Sequence, residues 1–374
     1  MLQAIDRISV AGVGGRIKAP QPLARVANVS VVVPCYNYGY CLRQCAESVL
    51  YEQPGIDVEV IIVDDKSTDD SLEVARALER SDPRVRVLAH ETNRGHIQTY
   101  NDGLRLATGE FVLLLSADDL VTPGALTRAA AFLMAETSVG LVYGNVVEFS
   151  RDLPPARVGE AKWIVWKGAD WLRARCRTGY NVVSTPAAVM RRSVLSAIGG
   201  YRCDLPHAGD FEMWLRTSCV SDIGFLAGVD QGYYRQHAVN MHKNMFHSGT
   251  ANGQLVDLDE RWRSFEAIFT GLGRALPECA ELYGLARRTL ACQALDYANY
   301  AYARGKRNFP VAQFEQIARE IYPGVDKTRA GRAFERRKRL GMTVLPLHPL
   351  WAPAAIAWRS GEALRTWRRK RVGV

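Results

Sequence analysis

Leu113-Leu114-Leu115-Ser116-Ala117-Asp118-Asp119-Leu120 is the stretch that decides the fold. An apolar run of buried-strand type ends abruptly in two adjacent carboxylates. Two acids at the mouth of a strand repel each other and lose hydration, so a cation should compensate. Hard divalent ions take carboxylate and phosphate oxygens. Mg²⁺ usually needs one or two protein carboxylates, with substrate phosphates completing the shell. On its own the dipeptide leaves two readings open. One is a metal–diphosphate site. The other is a solvated start to a helix predicted over Thr122 to about Glu136, with Pro123 in its first turn.

Working upstream, three more segments have the same form. Val29-Ser30-Val31-Val32-Val33 is a β-branched run stopped by Pro34, and Tyr36-Asn37-Tyr38-Gly39 turns from it into a helix over about 41–51. Val58 to Val63 is a second buried strand, ending at Asp64-Asp65. Lys66-Ser67-Thr68-Asp69 links it, with helix-cap character, to a helix running to about Arg80. Val85 to Leu88 is a third strand, after which Asn93-Arg94-Gly95 turns into a helix closed by Thr108-Gly109. Strand and helix thus alternate with short links, which predicts an open α/β sheet, mainly parallel, with right-handed crossovers. Ligands bind such sheets beyond the carboxyl ends of the strands. Tyr36, Asn37, Asp64, Asp65, Asn93, Asp118 and Asp119 therefore converge on one rim. A fixed carboxylate there can accept from the edge of a base, and Tyr36 offers a stacking face. The plainer reading of Asp64 and Asp65 is a helix cap with Lys66 as counter-charge.

Downstream, Val139 to Phe149 reads as a strand and 151–168, with Pro154-Pro155, as an excursion over the rim. Short helices follow near 169–175 and 193–198. Gly199-Gly200-Tyr201 makes a turn. Asp210 then opens a helix with Met213 and Trp214 inward and Arg216 outward. A carboxylate at a helix N-terminus stays ionised and suits a general base, although a plain N-cap has the same appearance. Ile223 to Tyr234 reads as one or two short strands, followed by Arg235-Gln236-His237. His207, His237, His242 and His247 lack zinc-site spacing, and His237 is better placed as a second contact to a diphosphate or its metal. From 250 onward the pattern is helical: Leu255–Phe269, Glu278–Ala303 and Val311–Ile321.

Composition bounds the rest. The 374 residues are 48% hydrophobic and 23% charged, an ordinary globular balance. The formal charge of +9 is uneven. Residues 329–374 hold 12 Lys/Arg against 2 Asp/Glu, which leaves 36 against 37 in the remainder. The main domain is therefore no nucleic-acid binder on charge grounds. The eight cysteines have no CxxC pair or regular framework and read as reduced thiols. No run of about 20 apolar residues occurs; Val344 to Trp358 is broken by Pro346, Pro349 and Pro353. Residues 1–28 are expected to be a flexible leader. Its Gly12-Val13-Gly14-Gly15 lacks the third glycine of a dinucleotide loop, and Pro20 and Pro22 exclude the helix such a loop needs.

Taken together, Val31-Val32-Val33-Pro34-Cys35-Tyr36-Asn37, Val63-Asp64-Asp65-Lys66-Ser67-Thr68-Asp69, Asn93-Arg94-Gly95, Ala107-Thr108-Gly109-Glu110 and Ser116-Ala117-Asp118-Asp119 resemble, in order, the motifs of family 2 glycosyltransferases. Gly209-Asp210-Phe211-Glu212 and Tyr234-Arg235-Gln236-His237 with Asn240 resemble the later motifs. The resemblance implies a GT-A fold over 29–245. It also implies an inverting, divalent-metal-dependent (Mn²⁺ or Mg²⁺) transfer of one sugar from a nucleotide-diphospho-sugar, uridine-linked, to a hydroxyl. The resemblance does not reach past 250. There the helical periodicity predicts an extension over 250–325, and Arg and Lys clusters with Trp351, Trp358 and Trp367 predict a basic tail over 326–374 that seeks an anionic membrane surface. Pro34, Tyr36, Asp65, Asn93, Gly95 and Asp118 would hold the nucleotide, Asp118, Asp119 and His237 the metal, and Asp210 would be the base. A saccharide or lipid-linked saccharide would be the acceptor, in cell-surface or extracellular polysaccharide assembly in the bacterial cytoplasm or at the inner membrane face. Three departures matter. Ser116 replaces the first acid of the usual Asp-x-Asp-Asp. Gly209 replaces the first acid of the usual Glu-Asp. The Gln-x-x-Arg-Trp pattern of processive synthases is missing. Two alternatives remain: a nucleotidyltransferase on a similar sheet, and a non-catalytic adaptor acting through the tail.

Overall fold

The computed structural model describes residues 7–10, 13–237, 250–341 and 363–374. Two compact units are found. One comprises residues 1–172, 182–238 and 371–373, and the other 173–181, 239–370 and 374.

The first unit is one large mixed sheet between helices. Its parallel half is built from β3 (Ala27–Cys35), β4 (Ile56–Asp64), β5 (Val85–Ala89) and β6 (Phe111–Leu114), in the order β6-β3-β4-β5. Alternate residues of β3 and β4 serve opposite faces. Val29, Val31 and Val33, with Val58, Val60 and Ile62, share a core with Leu42, Cys45 and Val49 of α1 (Gly39–Leu50) and with Ala75 and Leu78 of α2 (Ser71–Ser81). Val32 and Val63 face α3 (His96–Leu106), whose Gly103 has room for no Cβ against them. Burial on both faces is why these strands read as unbroken apolar runs.

The other half corrects several expectations. β1 (Arg7–Val10) and β2 (Val13–Lys18) lie in the presumed flexible leader, and β2 pairs antiparallel with β9 (Lys162–Trp166). Gly15 is a packing glycine and not part of a phosphate loop: a Cβ there would stand 3.0 Å from Ile164 and Trp166. β9 in turn replaces part of the expected excursion. Neither strand has a strong local signal, because each is specified by its partner across the sheet. Leu120–Val121 is a two-residue strand, β7, and the next helix, α4 (Ala125–Ala135), starts later than its prolyl signal suggested. The long β8 (Val139–Phe149) pairs parallel with β11 (Asp222–Arg235), which is one strand kinked by register shifts near Asp230. β10 (Ala188–Arg191) runs antiparallel between β6 and β8. α5 (Gly168–Thr178) precedes it, and α6 (Arg192–Ile198) and α7 (Gly209–Val220) follow.

The second unit is helical: α8 (Ala251–Thr270), α9 (Cys279–Ala303), α10 (Val311–Ile321) and α11 (Arg329–Leu340). Thr250 and Thr328 cap α8 and α11 by accepting from the amides of Gly253 and Gly331. The unit departs from the expected 250–325 boundary at both ends. It recruits 173–181, where the Gly179 carbonyl accepts from the buried Arg261 at 2.6 Å. It also absorbs the start of the presumed tail. Phe334 and Arg337 of α11 are buried, and Arg337 donates to Asn299 at 2.8 Å. Among the described residues no helix is long and apolar enough to cross a membrane. The eight cysteines are free. Val344–Trp358, Asn240, His242 and His247 lie outside the described residues.

Candidate active site

The rim predicted from sequence forms. In register, Cys35 stands opposite Asp64 and Asp64 opposite Ala89, so the next residues along, Tyr36, Asp65 and His90, make one row. The ladder runs on past the strand ends: the Asp65 amide donates to the Cys35 carbonyl and the His90 amide to the Asp64 carbonyl, both at 2.9 Å. Tyr36 stands 46% exposed over the row, and Pro34 lies at the end of β3 below it.

Asp65 is buried and nearly saturated. Its Oδ1 accepts from the Arg94 amide at 2.7 Å and lies 2.8 Å from His90 Nδ1; its Oδ2 accepts from the Gly95 amide at 2.9 Å. Asn93 donates to the Asp65 carbonyl at 3.1 Å. The carboxylate thereby shapes the 93–95 turn, where Gly95 adopts φ +79°. The far nitrogen of His90 lies 3.1 Å from Asp102, which also pairs with Arg94 and Arg105. Asp64 behaves differently from its neighbour. Its Oδ2 accepts from the Ser67 amide, while its buried Oδ1 has no hydrogen-bond donor among the described residues.

The Lys66–Asp69 loop caps α2 through Asp69, which accepts from the amide of Ser71, and does more than its sequence suggested. It clasps the turn after β3. Ser67 Oγ accepts from the Asn37 amide at 3.0 Å, and the Asn37 side chain accepts from the Thr68 amide at 2.7 Å. Asp69 accepts from Gly39 at 3.2 Å and from Ser71 at 3.0 Å. Both loops thereby hold non-glycine residues in the left-handed region, Asn37 at φ 62° and Lys66 at φ 63°.

Asp118 and Asp119 follow β6 and are both buried. β7 pairs antiparallel with β11, Leu120 opposite Tyr233, which carries the end of β11 back past the two acids. Arg235 is the fastener there. Its amide donates to Asp119 Oδ1 at 2.9 Å, its Nε to the Asp118 carbonyl at 2.8 Å and its other guanidinium arm to Gln44 at 2.6 Å. Phe149 lies beneath the guanidinium at 4.4 Å. His237 Nε2 meets Asp118 Oδ2 at 2.9 Å, and Tyr38 packs edge-on to the imidazole at 5.7 Å. Burial, then the neighbouring Asp118 charge, pushes the Asp119 carboxyl well above the usual range. Burial also raises the phenols of Tyr38 and Tyr100, and it pushes Tyr234 up to about 12.

Two adjacent carboxylates are hard ligands, and the raised Asp119 marks negative charge crowded in a dry place, which a dication would relieve. Among the described residues no group of three or more His, Cys, Asp or Glu side chains is arranged to hold a metal ion, and His237 Nε2 is engaged with Asp118. A bound ion would therefore take its remaining oxygens from diphosphate and water.

Asp210 lies at the start of α7. Thr185 donates to its Oδ2 at 2.7 Å. The Tyr100 and Tyr234 phenols feel the charges of both Asp210 and Asp118. The preceding turn is pinned on two sides. Asn101 of α3 exchanges hydrogen bonds with the backbone of Tyr201, at 2.7 and 2.9 Å, and a Cβ on Gly200 would collide with that amide. Arg216, expected to point outward, turns in. It pairs with buried Glu212 at 2.8 Å and donates to the carbonyls of Ile198, Gly199 and Gly200.

The structure therefore gathers Tyr36, Asp65, Asn93 and Gly95 on one part of the rim. Asp118, Asp119, His237 and Asp210 gather around shared tyrosines. The sequence reading named Arg235 and Tyr201 only as members of a motif and a turn, and it passed over His90 and Thr185. His90 carried a usable signal, since it follows β5 as Asp65 follows β4; Thr185 had none.

Residues 30–199 match the family model described as glycosyl transferase family 2. Glycosyltransferase GlyG of Streptococcus pneumoniae is 44% identical over 121 residues, 32% of this chain and 40% of that protein. The uncharacterized glycosyltransferase alr2836 of Nostoc sp. is 36% identical over 228 residues, 57% of this chain and 66% of that protein. The chain spans between 40 and 66% of the lengths of the first such relatives. The mannosyltransferase PcManGT from Pyrobaculum calidifontis, solved in complex with GDP-Man and Mn²⁺, superposes with TM-score 0.50 at 21% identity, over 82% of this chain and 90% of that one. The fold is thus that of the GT-A glycosyltransferases, and residues 30–199 are similar to glycosyl transferase family 2.

Proposed function

We propose that this protein is an inverting, divalent-metal-dependent transferase. It moves one sugar from a uridine-diphospho-sugar to a hydroxyl of a saccharide or lipid-linked saccharide, in bacterial cell-surface or extracellular polysaccharide assembly. Its place would be the cytoplasm, at the inner face of the membrane where a lipid-linked acceptor is presented. The observation that carries the reading is the buried Asp118-Asp119 pair beside His237, on a rim that also holds Asp210.

In this reading Tyr36 stacks on the nucleobase. Asp65 acts on the base pocket through the turn it holds, with Asn93 and Gly95 as the lining and Pro34 as the floor. Asp118, Asp119 and His237 would hold Mn²⁺ or Mg²⁺, which when bound would offset charge on the departing diphosphate. Asp210 accepts the proton of the acceptor hydroxyl. That oxygen forms a bond to the anomeric carbon from the face opposite the diphosphate, whose C–O bond breaks, so configuration inverts. Thr185 orients the carboxylate, and the N-terminus of α7 keeps it ionised. Support from the fold neighbour is limited to its having been solved with a nucleotide-sugar and Mn²⁺.

A panel of nucleotide-sugars, screened for Mn²⁺- or Mg²⁺-dependent thermal stabilisation and then for transfer, tests the reading. The hit expected is a uridine-linked donor. Asp210→Asn should keep that stabilisation and lose transfer by about a thousandfold or more. Near-normal turnover in this variant would remove Asp210 from the chemistry.

A further inference from the structure

We infer that α11 presents a docking face for a membrane surface rich in anionic phospholipid, formed by Arg329, Arg332, Arg336 and Arg339. Spacings of three, four and three keep these side chains within about 80° of one another around the helix. All four are exposed. The side directly opposite carries Gly331, Phe334 and Arg337, all buried in the helical unit. The rotation of α11 is therefore fixed by packing, and the arginine stripe is turned outward.

The stripe is not neutralised locally. Among the described residues Arg329, Arg336 and Arg339 form no ion pair, and Arg332 donates only to the Lys327 carbonyl, at 2.6 Å. The nearby acids are engaged elsewhere. Arg319 takes Asp326 at 3.5 Å and Glu335 at 3.2 Å, and Glu315 is shared by Arg319 and Lys338. Like charges three and four residues apart repel along a helix, and a surface of phosphodiesters relieves that repulsion.

A second feature selects a bilayer over nucleic acid. Residues 363–372 are helical, and Leu364 and Trp367, one turn apart, are 46% and 54% exposed amid Arg365, Arg368 and Arg369. Arg329 and Arg365 both act on the charge of Asp296 in α9. Exposed leucine and tryptophan beside arginines suit the headgroup boundary and have no partner on a phosphate backbone. The consecutive bases Arg336-Arg337-Lys338-Arg339, conspicuous in the sequence, are not the surface. Arg337 is buried and Lys338 is held by Glu315.

Co-sedimentation of the full chain with vesicles of phosphatidylglycerol and phosphatidylcholine, and with phosphatidylcholine alone, tests this without donor or acceptor. Its outcome is therefore separate from that of the transferase reading. Binding is expected only to the anionic vesicles and should weaken as salt is added. Replacing the four arginines together, as Arg329→Gln, Arg332→Gln, Arg336→Gln and Arg339→Gln, should lower it at least about tenfold, each cation near such a surface being worth about fivefold. The thermal melt should stay unchanged, because none of the four packs inward. Lys338→Gln should leave binding as it was. Equal binding by the fourfold variant and the parent, or equal binding to neutral vesicles, overturns the inference. So does preferential capture of duplex RNA or DNA at the same salt, lost in the same variant.

Discussion

Asp64-Asp65 and Asp118-Asp119 end the two strands that flank β3, and as sequence the pairs look alike. The fold treats them differently. Around Asp65 it assembles two backbone amides and an imidazole, so that the carboxylate becomes a fixed part of the pocket wall. Around Asp118 and Asp119 it assembles phenols, a histidine and Arg235, whose amide donates to Asp119 while its guanidinium donates to a carbonyl and a glutamine. Asp65 is satisfied by protein, while Asp64 keeps one buried oxygen without a donor among the described residues. The other pair leaves Asp119 with its carboxyl displaced upward by burial and by the charge of Asp118. Identical dipeptides therefore divide into architecture and chemistry according to the donors that the neighbouring loops supply.

That division can be broken by exchanging acid for amide at each position. The largest effect is expected from Asp118→Asn. Metal-dependent stabilisation should vanish and transfer should fall by at least about a thousandfold, while urea unfolding of the metal-free protein changes little. Asp65→Asn should do the reverse. An amide cannot accept from Arg94, Gly95 and His90 together, so stability should drop by about 2–3 kcal/mol in urea unfolding, with metal binding preserved. His90→Ala strips one donor from Asp65 and one neighbour from Asp102. A loss of about 1–2 kcal/mol is expected, together with a higher donor KM at nearly unchanged kcat.

The smallest effect concerns pH. Asp119 binds its proton more tightly folded than unfolded, so the metal-free protein should lose stability as pH rises above the ordinary carboxylate range toward the folded value. Asp119→Asn should flatten that loss by about 1 kcal/mol, roughly 2 °C in Tm at neutral pH. Mn²⁺ should flatten it in the parent protein and not in the variant. Melting curves across pH, with and without the ion, read both.

Much of the rim was legible because it is local. β3 to β6 are apolar runs with polar ends, and the α8, α9 and α10 periodicities fell within a few residues of their observed bounds. What failed was non-local. β2 is a strand only because β9 pairs with it, and β9 only because β11 and β2 lie on either side. Asp69 resembled a helix cap and is one toward Ser71, but its second partner, Gly39, comes from 30 residues away. Arg216 resembled a solvent-facing charge, because nothing in its helix announces the three carbonyls at the end of α6. Side chains whose partners come from another element carry no mark of it in their own neighbourhood.

Those three carbonyls have a consequence for how the acceptor side could be re-engineered. Arg216 and Asn101 act as two stakes, one on α7 and one on α3, that fasten the backbone at 198–201. His96 lies 3.0 Å from the Pro206 carbonyl and stakes the far end of the same segment. Between them Arg202, Cys203 and Asp204 form an exposed lip with no burial to lose. Residues inserted or exchanged in that lip would leave the fastened backbone, and the start of α7 that carries Asp210, in place. The turn is thus a mounting whose tip can be changed independently of the carboxylate that we propose as the base.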